Sequence, residues 1–405
     1  MKNCRICSGK LKEIINLKKI ALVGNFSKKK SNKKKYKITL NYCKKCKHVQ
    51  IGEIINPDLL FKNYLWETGV SKSNLLLIKD FIKRLKKFKL GFKSKILEIA
   101  SNDGSLISAI KKEFKSETLG VDPAKNLVVK ANKNKIKTIN KYFDFNLSNI
   151  IKKKINEFNF IIARNVIAHT RNPNKVFKGV ENLLSHKGIF ILEVPYLLNI
   201  IKYNQYDNIF HEHIGFHSLK SIKDLCINNN LRLFNVEKIE SQGGSIRCYI
   251  CKKECLRESS SIVKKMLRIE KQSKLFLSKN LENFGKKIKL HSHELYKLIY
   301  NLKMRGKKIS IYGASGKGQA LMQYCKIDSK LVDVVYDKSK LKQKRYTPGT
   351  NIKIENPNNI RKSRIDYLLV LSWNIIKEIM KQEAHFSRKG GKFIIPFPTP
   401  RILNK

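Results

Sequence analysis

Apolar positions change their period along the chain, and the changes divide it into four segments. From Lys95 to about Tyr249, short apolar runs at 96–99, 118–121, 160–163 and 188–193 alternate with amphipathic stretches. That alternation predicts parallel strands joined by crossover helices, an α/β sheet. A second α/β pattern begins near Lys308, with strands expected at 308–312, 331–336, 366–371 and 391–396. Between the two, residues 256–303 read as one long helix, because Leu277, Leu281, Phe284 and Ile288 fall at helical spacing. Residues 57–93 read as a helical connection, with Leu75, Leu76, Ile78, Phe81, Ile82 and Leu85 near helical spacing. Residues 1–56 fit neither period and hold two Cys-x-x-Cys pairs around a Lys-rich stretch.

The 405-residue length suits two or three domains, and 42% apolar residues exclude a disordered chain. Lys and Arg number 85 against 31 Asp and Glu, a formal charge of +54. Such an excess suggests polyanion partners. Here it is mostly Lys, spread along the chain with abundant Ile and Asn, the pattern of an AT-rich coding bias. The apolar stretch from 188 to 201 is interrupted by Glu193, Pro195 and Asn199 and is too short to cross a bilayer, so no membrane insertion is expected. The N-terminus has no apolar export segment, and a cytoplasmic location is the expectation.

Cys4 and Cys7 form one pair, Cys43 and Cys46 the other, with 35 residues between. Each such turn offers two thiolates to one ion, and four thiolates fill the tetrahedral shell of zinc. The expected site is structural, with no open position for catalysis. His48 is an alternative ligand. The cluster at Lys28, Lys29, Lys30, Lys33, Lys34 and Lys35 reads either as a solvated loop or as a phosphate-binding tongue.

Two loops carry candidate chemistry. Lys95-Ile-Leu-Glu-Ile-Ala-Ser-Asn-Asp-Gly104 runs from a strand through a tight turn towards a helix. Ligands in open α/β sheets lie beyond such strand ends. With one glycine, Gly104, and a leading acid, Glu98, the loop suits S-adenosylmethionine better than a dinucleotide. Asp122 ends the next strand, where a carboxylate can accept two ribose hydroxyls. Dinucleotide-binding domains also place an acid there. In the second α/β unit, Tyr312-Gly-Ala-Ser-Gly-Lys-Gly318 reads as a bland turn or as a phosphate-approaching loop that includes Lys317.

Three of the nine histidines, His211, His213 and His217, fall within seven positions. Alternation places His211 and His213 on one side of an extended segment and Glu212 on the other. A metal site or an acid–base cluster for proton abstraction beside a carbonyl fits these residue types.

At this point the chain resembles the three-domain C-methyltransferases that act on nucleotide-linked deoxysugars. The resemblance runs in order over nearly the whole chain: the paired Cys-x-x-Cys, residues 97–104, Asn-Val-Ile-Ala-His169, Glu-Val-Pro-Tyr196 and His-Glu-His213. It continues through Gly-Gly-Ser-Ile-Arg247, residues 312–318, Tyr-Thr-Pro-Gly-Thr350, Ser-Trp-Asn374 and residues 390–396. It implies a small zinc-binding domain (1–56), a class I Rossmann-like methyltransferase domain (94–255) and a second α/β domain (256–405) that encloses the substrate. It implies S-adenosylmethionine and zinc as cofactors. His213 is then the base, with His169 and Glu212 close to the sugar. Glu98, Asn102, Gly104, Asp122 and Asn165 are expected at the cofactor, and Tyr64, Phe210, Arg247 and Lys317 at the substrate. The family usually has Tyr where Phe210 stands, so Tyr64, Tyr206 or water must supply the missing hydroxyl. Rival readings are a different methyl acceptor, or a zinc-containing nucleic-acid-binding protein. Against the latter, the chain has no aromatic-rich RNA-binding signature and no dense base-reading helix, so no specific nucleic acid is expected.

Overall fold

A computed structural model describes residues 3–70, 72–88 and 94–403. Part of the expected helical connection, residues 71 and 89–93, lies outside the described residues.

At the N-terminus, β1 (Leu11–Ala21), β2 (Lys35–Cys43) and β3 (Val49–Ile51) form an antiparallel meander. Its register explains how two distant cysteine pairs meet. Leu11 faces Cys43, so the turn after β2 returns beside the turn before β1. The Lys-rich connection is not a free loop. Ser27 and Tyr346 exchange backbone hydrogen bonds, and Ser31 N–H donates to Asn351 Oδ1. Lys28, Lys29 and Lys30 are themselves exposed.

The central unit contains β4 (Lys95–Ile99), β5 (Glu117–Val121), β6 (Thr138–Ile139), β7 (Phe158–Arg164) and β8 (Leu184–Pro195). After these come β9 (Gly215–Phe216), β10 (Leu231–Ile239) and β11 (Ser245–Lys252). Seven strands make one sheet in the order β10-β11-β8-β7-β4-β5-β6, antiparallel only at β11. The four expected strands are present. The short β6 and the antiparallel pair β10–β11 were not legible as strands. β9 leaves this unit and pairs with β3, becoming the fourth strand of the N-terminal sheet.

The C-terminal unit contains β12 (Ile309–Tyr312), β13 (Val334–Tyr336), β14 (Lys353–Glu355), β15 (Tyr367–Val370), β16 (Lys392–Ile395) and β17 (Arg401–Leu403). Their order is β14-β13-β12-β15-β16-β17, and only β17 is antiparallel. In both units the first strand is central and the next lies to one side of it, while a later strand lies to the other. This creates the switch-point crevice that open α/β sheets use for ligands.

Two helical expectations change. Residues 57–93 hold short helices at Asp58–Phe61 and Thr68–Val70, then a helix at Lys72–Lys86; residues 62–67 are irregular. The expected long helix is two, Ser261–Gln272 and Ser278–Met304. Lys274 adopts a left-handed backbone between them (φ 53°), and the Ser273 hydroxyl accepts the Leu275 N–H. Leu277 therefore caps the second helix and is exposed, while Leu281, Phe284 and Ile288 are buried. Those three join Ile15, Leu40, Phe216 and Ile311 in one apolar core, so the N-terminal sheet and the C-terminal unit are packed as one body. Among the described residues, no helix is long and apolar enough to cross a membrane.

Candidate active site

The crevices of the two α/β units open into one cavity of about 910 Å³. Its size is at the upper end for small-molecule sites. Three groups of residues face it.

The loop after β4 forms one wall. Ala100, Asn102 and Gly104 have φ of 58°, 55° and 76°, which turns the chain sharply into the Ser105–Phe114 helix. Asp122, at the end of β5, fixes this turn: its Oδ2 accepts the Asn102 N–H at 2.8 Å and its Oδ1 accepts the Ala124 N–H at 2.8 Å. Gly104 does not line the cavity. It points the other way, where a Cβ would press on Ile136 at 3.1 Å and Ala131 at 3.3 Å. Its part is therefore to shape the turn. Asn102 closes the wall from above, accepting the Thr68 N–H at 2.9 Å and donating to Trp66 O at 3.1 Å. Glu98 and Asn165 line the cavity with buried oxygens, Oε2 and Oδ1, that have no hydrogen-bond partner among the described residues. Burial pushes the Glu98 carboxyl up to about 8, with Asp103 and Asp122 acting the same way and Arg164 against it. A pair of buried acceptors beside acidic groups suits the α-ammonium of the S-adenosylmethionine amino-acid head.

The His-Glu-His segment forms the second wall, and it is a turn rather than an extended run. His213 N–H donates to Phe210 O at 2.9 Å, so Phe210, Glu212 and His213 all face the cavity. His211 does not line it; it is buried edge-on against Tyr36. The alternation expected from the sequence fails because a tight turn breaks the period of two. His213 Nδ1 lies 2.8 Å from Asn208 O. A carbonyl can only accept, so Nδ1 carries the proton and Nε2 holds the lone pair of the neutral ring. Burial holds the His213 pKa well below its ordinary value, helped by nearby His169 and Lys317. His169 lies 4.8 Å from His213 between ring centres, and its Nδ1 is 2.8 Å from Glu212 O. Burial lowers His169 to about 4.

Tyr64 donates its hydroxyl to Glu212 Oε2 at 3.1 Å. Burial lifts the Glu212 carboxyl to about 7, with Tyr64 and Lys342 opposing. Phe210 packs on His213 with ring centres 4.2 Å apart. Tyr206 is no substitute for the missing hydroxyl. It is buried away from the cavity, bonded to His291 Nδ1 at 2.9 Å and Cys325 at 3.3 Å. Tyr64 is the candidate that brings a hydroxyl into the cavity.

The C-terminal loop forms the third wall. Ser315 caps the Gly316–Tyr324 helix by accepting the Gly318 N–H at 3.2 Å, and Lys317 Nζ donates to Gln242 O at 2.8 Å. Asp337 was not singled out from the sequence. It repeats the device at Asp122, with Oδ2 accepting the Ala314 N–H at 2.6 Å and Oδ1 the Ser339 N–H at 2.8 Å. Its sequence signal was available, since an apolar run ends in Asp at both places. Arg247 does not line the cavity. Its buried guanidinium is consumed by Glu193 at 2.7 Å, Glu237 at 2.9 Å and Asp80 at 3.3 Å across the sheet. The substrate role expected for it gives way to a structural one, because a buried cation needs such partners.

Apart from this cavity, the sulfurs of Cys4, Cys7, Cys43 and Cys46 lie within 4.8 Å of one another. Tetrahedral zinc with Zn–S bonds near 2.3 Å holds its sulfurs about 3.8 Å apart. Gly9 leaves room beside them, where a Cβ would meet Cys43 Sγ at 3.2 Å and Cys7 Sγ at 3.3 Å. The four thiolates fit zinc. His48 lies elsewhere, against His217 with ring centres 4.9 Å apart.

Comparison with known proteins decides the class. Residues 4–61 match a zinc binding domain family, 73–236 a methyltransferase domain family, and 240–398 the C-methyltransferase C-terminal domain family. The chain carries, in order, the three domains that these families describe, and it is an S-adenosylmethionine-dependent methyltransferase. The C-methyltransferase NovU of Streptomyces niveus is 29% identical over 363 residues, covering 89% of this chain and 86% of that protein. Two solved structures are similar to part of the C-methyltransferase. One is the PH0226 protein of Pyrococcus horikoshii, with 18% identity, TM-score 0.36, and coverage of 46% of this chain and 94% of that one. The other is an S-adenosylmethionine-dependent methyltransferase of Clostridium acetobutylicum, with 16% identity, TM-score 0.33, and coverage of 43% and 90%.

Proposed function

We propose that this C-methyltransferase methylates the carbon beside the keto group of a nucleotide-diphosphate-linked deoxysugar. The observation that carries the reading is His213, whose Nδ1 proton goes to Asn208 O and leaves the lone pair on Nε2, on a cavity wall shared by the cofactor loop and the Ser315–Lys317 loop. Glu98 and Asn165 receive the cofactor's amino-acid head, and Asp122 its ribose. When bound, S-adenosylmethionine supplies an electrophilic methyl group. Lys317 and the N-terminus of the Gly316–Tyr324 helix suit phosphate oxygens, and Asp337 suits a nucleoside hydroxyl. His213 Nε2 takes the proton from the carbon next to the ketone, leaving an enolate at the sugar. The Tyr64–Glu212 pair stands beside this carbon with an exchangeable proton, a role that Phe210 cannot fill. The test is direct: incubation with S-adenosylmethionine and nucleotide-linked keto-deoxysugars, with mass spectrometry and NMR to detect a new carbon-bound methyl. No methylated sugar, with methylation of another acceptor instead, would replace this substrate.

Two results are expected at the cofactor. Asp122→Ala removes a charged acceptor, and such hydrogen bonds contribute roughly 1.5–3 kcal/mol. S-adenosylhomocysteine affinity should fall about tenfold to a hundredfold; unchanged affinity in the folded variant would take Asp122 out of the site. The second result concerns protons. With its pKa near 8, Glu98 is mostly protonated in the free protein at neutral pH. The α-ammonium of the cofactor placed beside it favours the carboxylate. Binding of S-adenosylhomocysteine should therefore release a proton and tighten as pH rises from about 6 to about 8. Calorimetry in buffers of different ionisation heat reads the release directly, and Glu98→Gln should abolish it. Identical heats in all buffers would exclude Glu98 from contact with the cofactor's α-ammonium.

A further inference from the structure

The zinc-binding domain is wired into the wall that carries His213. β3 pairs with β9, setting Val49 opposite Phe216 and Gln50 opposite Gly215. Ile51 N–H donates to Ile214 O at 3.1 Å. Arg5 stands between Cys4 and Cys7, inside the first cysteine turn. Its guanidinium donates through Nη1 to Ile214 O and through Nη2 to Ile51 O at 2.7 Å. Arg5 is itself held at both ends of its peptide: its N–H donates to Gln50 Oε1 at 3.0 Å, and its carbonyl accepts from Asn174 Nδ2 at 3.2 Å.

Ile214 is a critical place for such a clamp. It follows His213 in the chain, and its N–H donates to Ala168 O at 2.7 Å, one residue before His169. One residue thus ties both cavity histidines to the zinc-binding domain. Arg suits this task because its planar fork can donate to two carbonyls at fixed separation.

We propose that Arg5 is a positioning residue for methyl transfer, which holds the 211–217 segment so that His213 meets the substrate carbon. The zinc-binding domain then has a second task beyond its own folding: it is the anchor for the reacting wall. The proposal rests on the reading of His213 as the base, and its test separates the two.

The experiment uses the full-length, zinc-loaded protein with Arg5→Gln and Arg5→Lys. Zinc content and S-adenosylhomocysteine affinity should match the parent, since Arg5 supplies no ligand to the zinc site and does not line the cavity. Amide hydrogen exchange in residues 214–216 should quicken by about tenfold or more, because the clamp on a local opening is lost. Turnover should fall by about tenfold to a hundredfold, as displacing a reacting group by an ångström does, with KM for the sugar nucleotide changed far less. Arg5→Lys keeps the charge and one donor point, so it should lie between the parent and Arg5→Gln in both exchange and turnover. If Arg5→Gln does not hold zinc, Arg5→Lys decides. Unaltered exchange at 214–216, or unaltered turnover, overturns the role of Arg5. Failure of the base assignment reads out separately, as full turnover in His213→Asn, while the exchange measurement still judges the clamp.

Discussion

His213→Asn is expected to lower turnover by at least about a hundredfold, the usual scale for a lost general base, with cofactor affinity unchanged. Asparagine keeps polarity and much of the shape, and its amide can still donate to Asn208 O. It has no lone pair that takes a proton near neutrality. The cleanest measurement removes methyl transfer altogether. With S-adenosylhomocysteine in place of the methyl donor, the parent should exchange the proton of the acceptor carbon with solvent deuterium, and His213→Asn should not. Because burial, His169 and Lys317 all hold the His213 pKa well below its ordinary value, the ring is neutral throughout the neutral range. Exchange by the parent should therefore show no loss attributable to His213 as pH falls through 6.5, the ordinary imidazole value. Normal exchange in the variant would assign the base to another residue, with His169 next in line at 4.8 Å.

Cys43→Ser should cost zinc, stability and activity together. Structural zinc contributes apparent binding energies of about 10–16 kcal/mol in small zinc domains, and a hydroxyl is a poor replacement for a thiolate. Cys43 also ends β2, the central strand that β1 and β3 flank. Metal analysis should give less than one zinc per chain, and the thermal midpoint should drop. From the sequence, the zinc site stands apart from the chemistry. The β3–β9 pairing removes that separation: loosening the N-terminal sheet releases Ile214 and the segment behind His213. Turnover per folded molecule should therefore fall too. Full zinc content with a native thermal midpoint would strike Cys43 from the ligand set.

Local patterns carried much of this protein. The runs at 96–99, 118–121, 160–163 and 188–193 became β4, β5, β7 and β8, because strands buried on both faces must be apolar throughout. The two Cys-x-x-Cys turns were legible because two thiolates on one turn is itself a local geometry. Glu98, Asn102 and Asp122 were legible because a strand end followed by a turn already sets them at the crevice. Other features are non-local. The two-residue β6 and β9 are too short for any period to register, and they exist only because a neighbouring edge offers hydrogen bonds. The break at Lys274 is hidden, since apolar spacing continues through it. His211 and His213 alternate in the chain but separate in space, because a turn closed by His213 N–H and Phe210 O sets the direction of each side chain. Arg247 and Lys317 look equally suited to an anionic substrate as sequence. Tertiary packing gave Arg247 three carboxylates and set Lys317 at the cavity wall. The residue types and the order of elements were thus determined by the sequence itself. Which cations line the cavity, which tyrosine reaches it, and that Arg5 grips the peptide behind His213 were decided by packing, because each depends on partners distant in the chain.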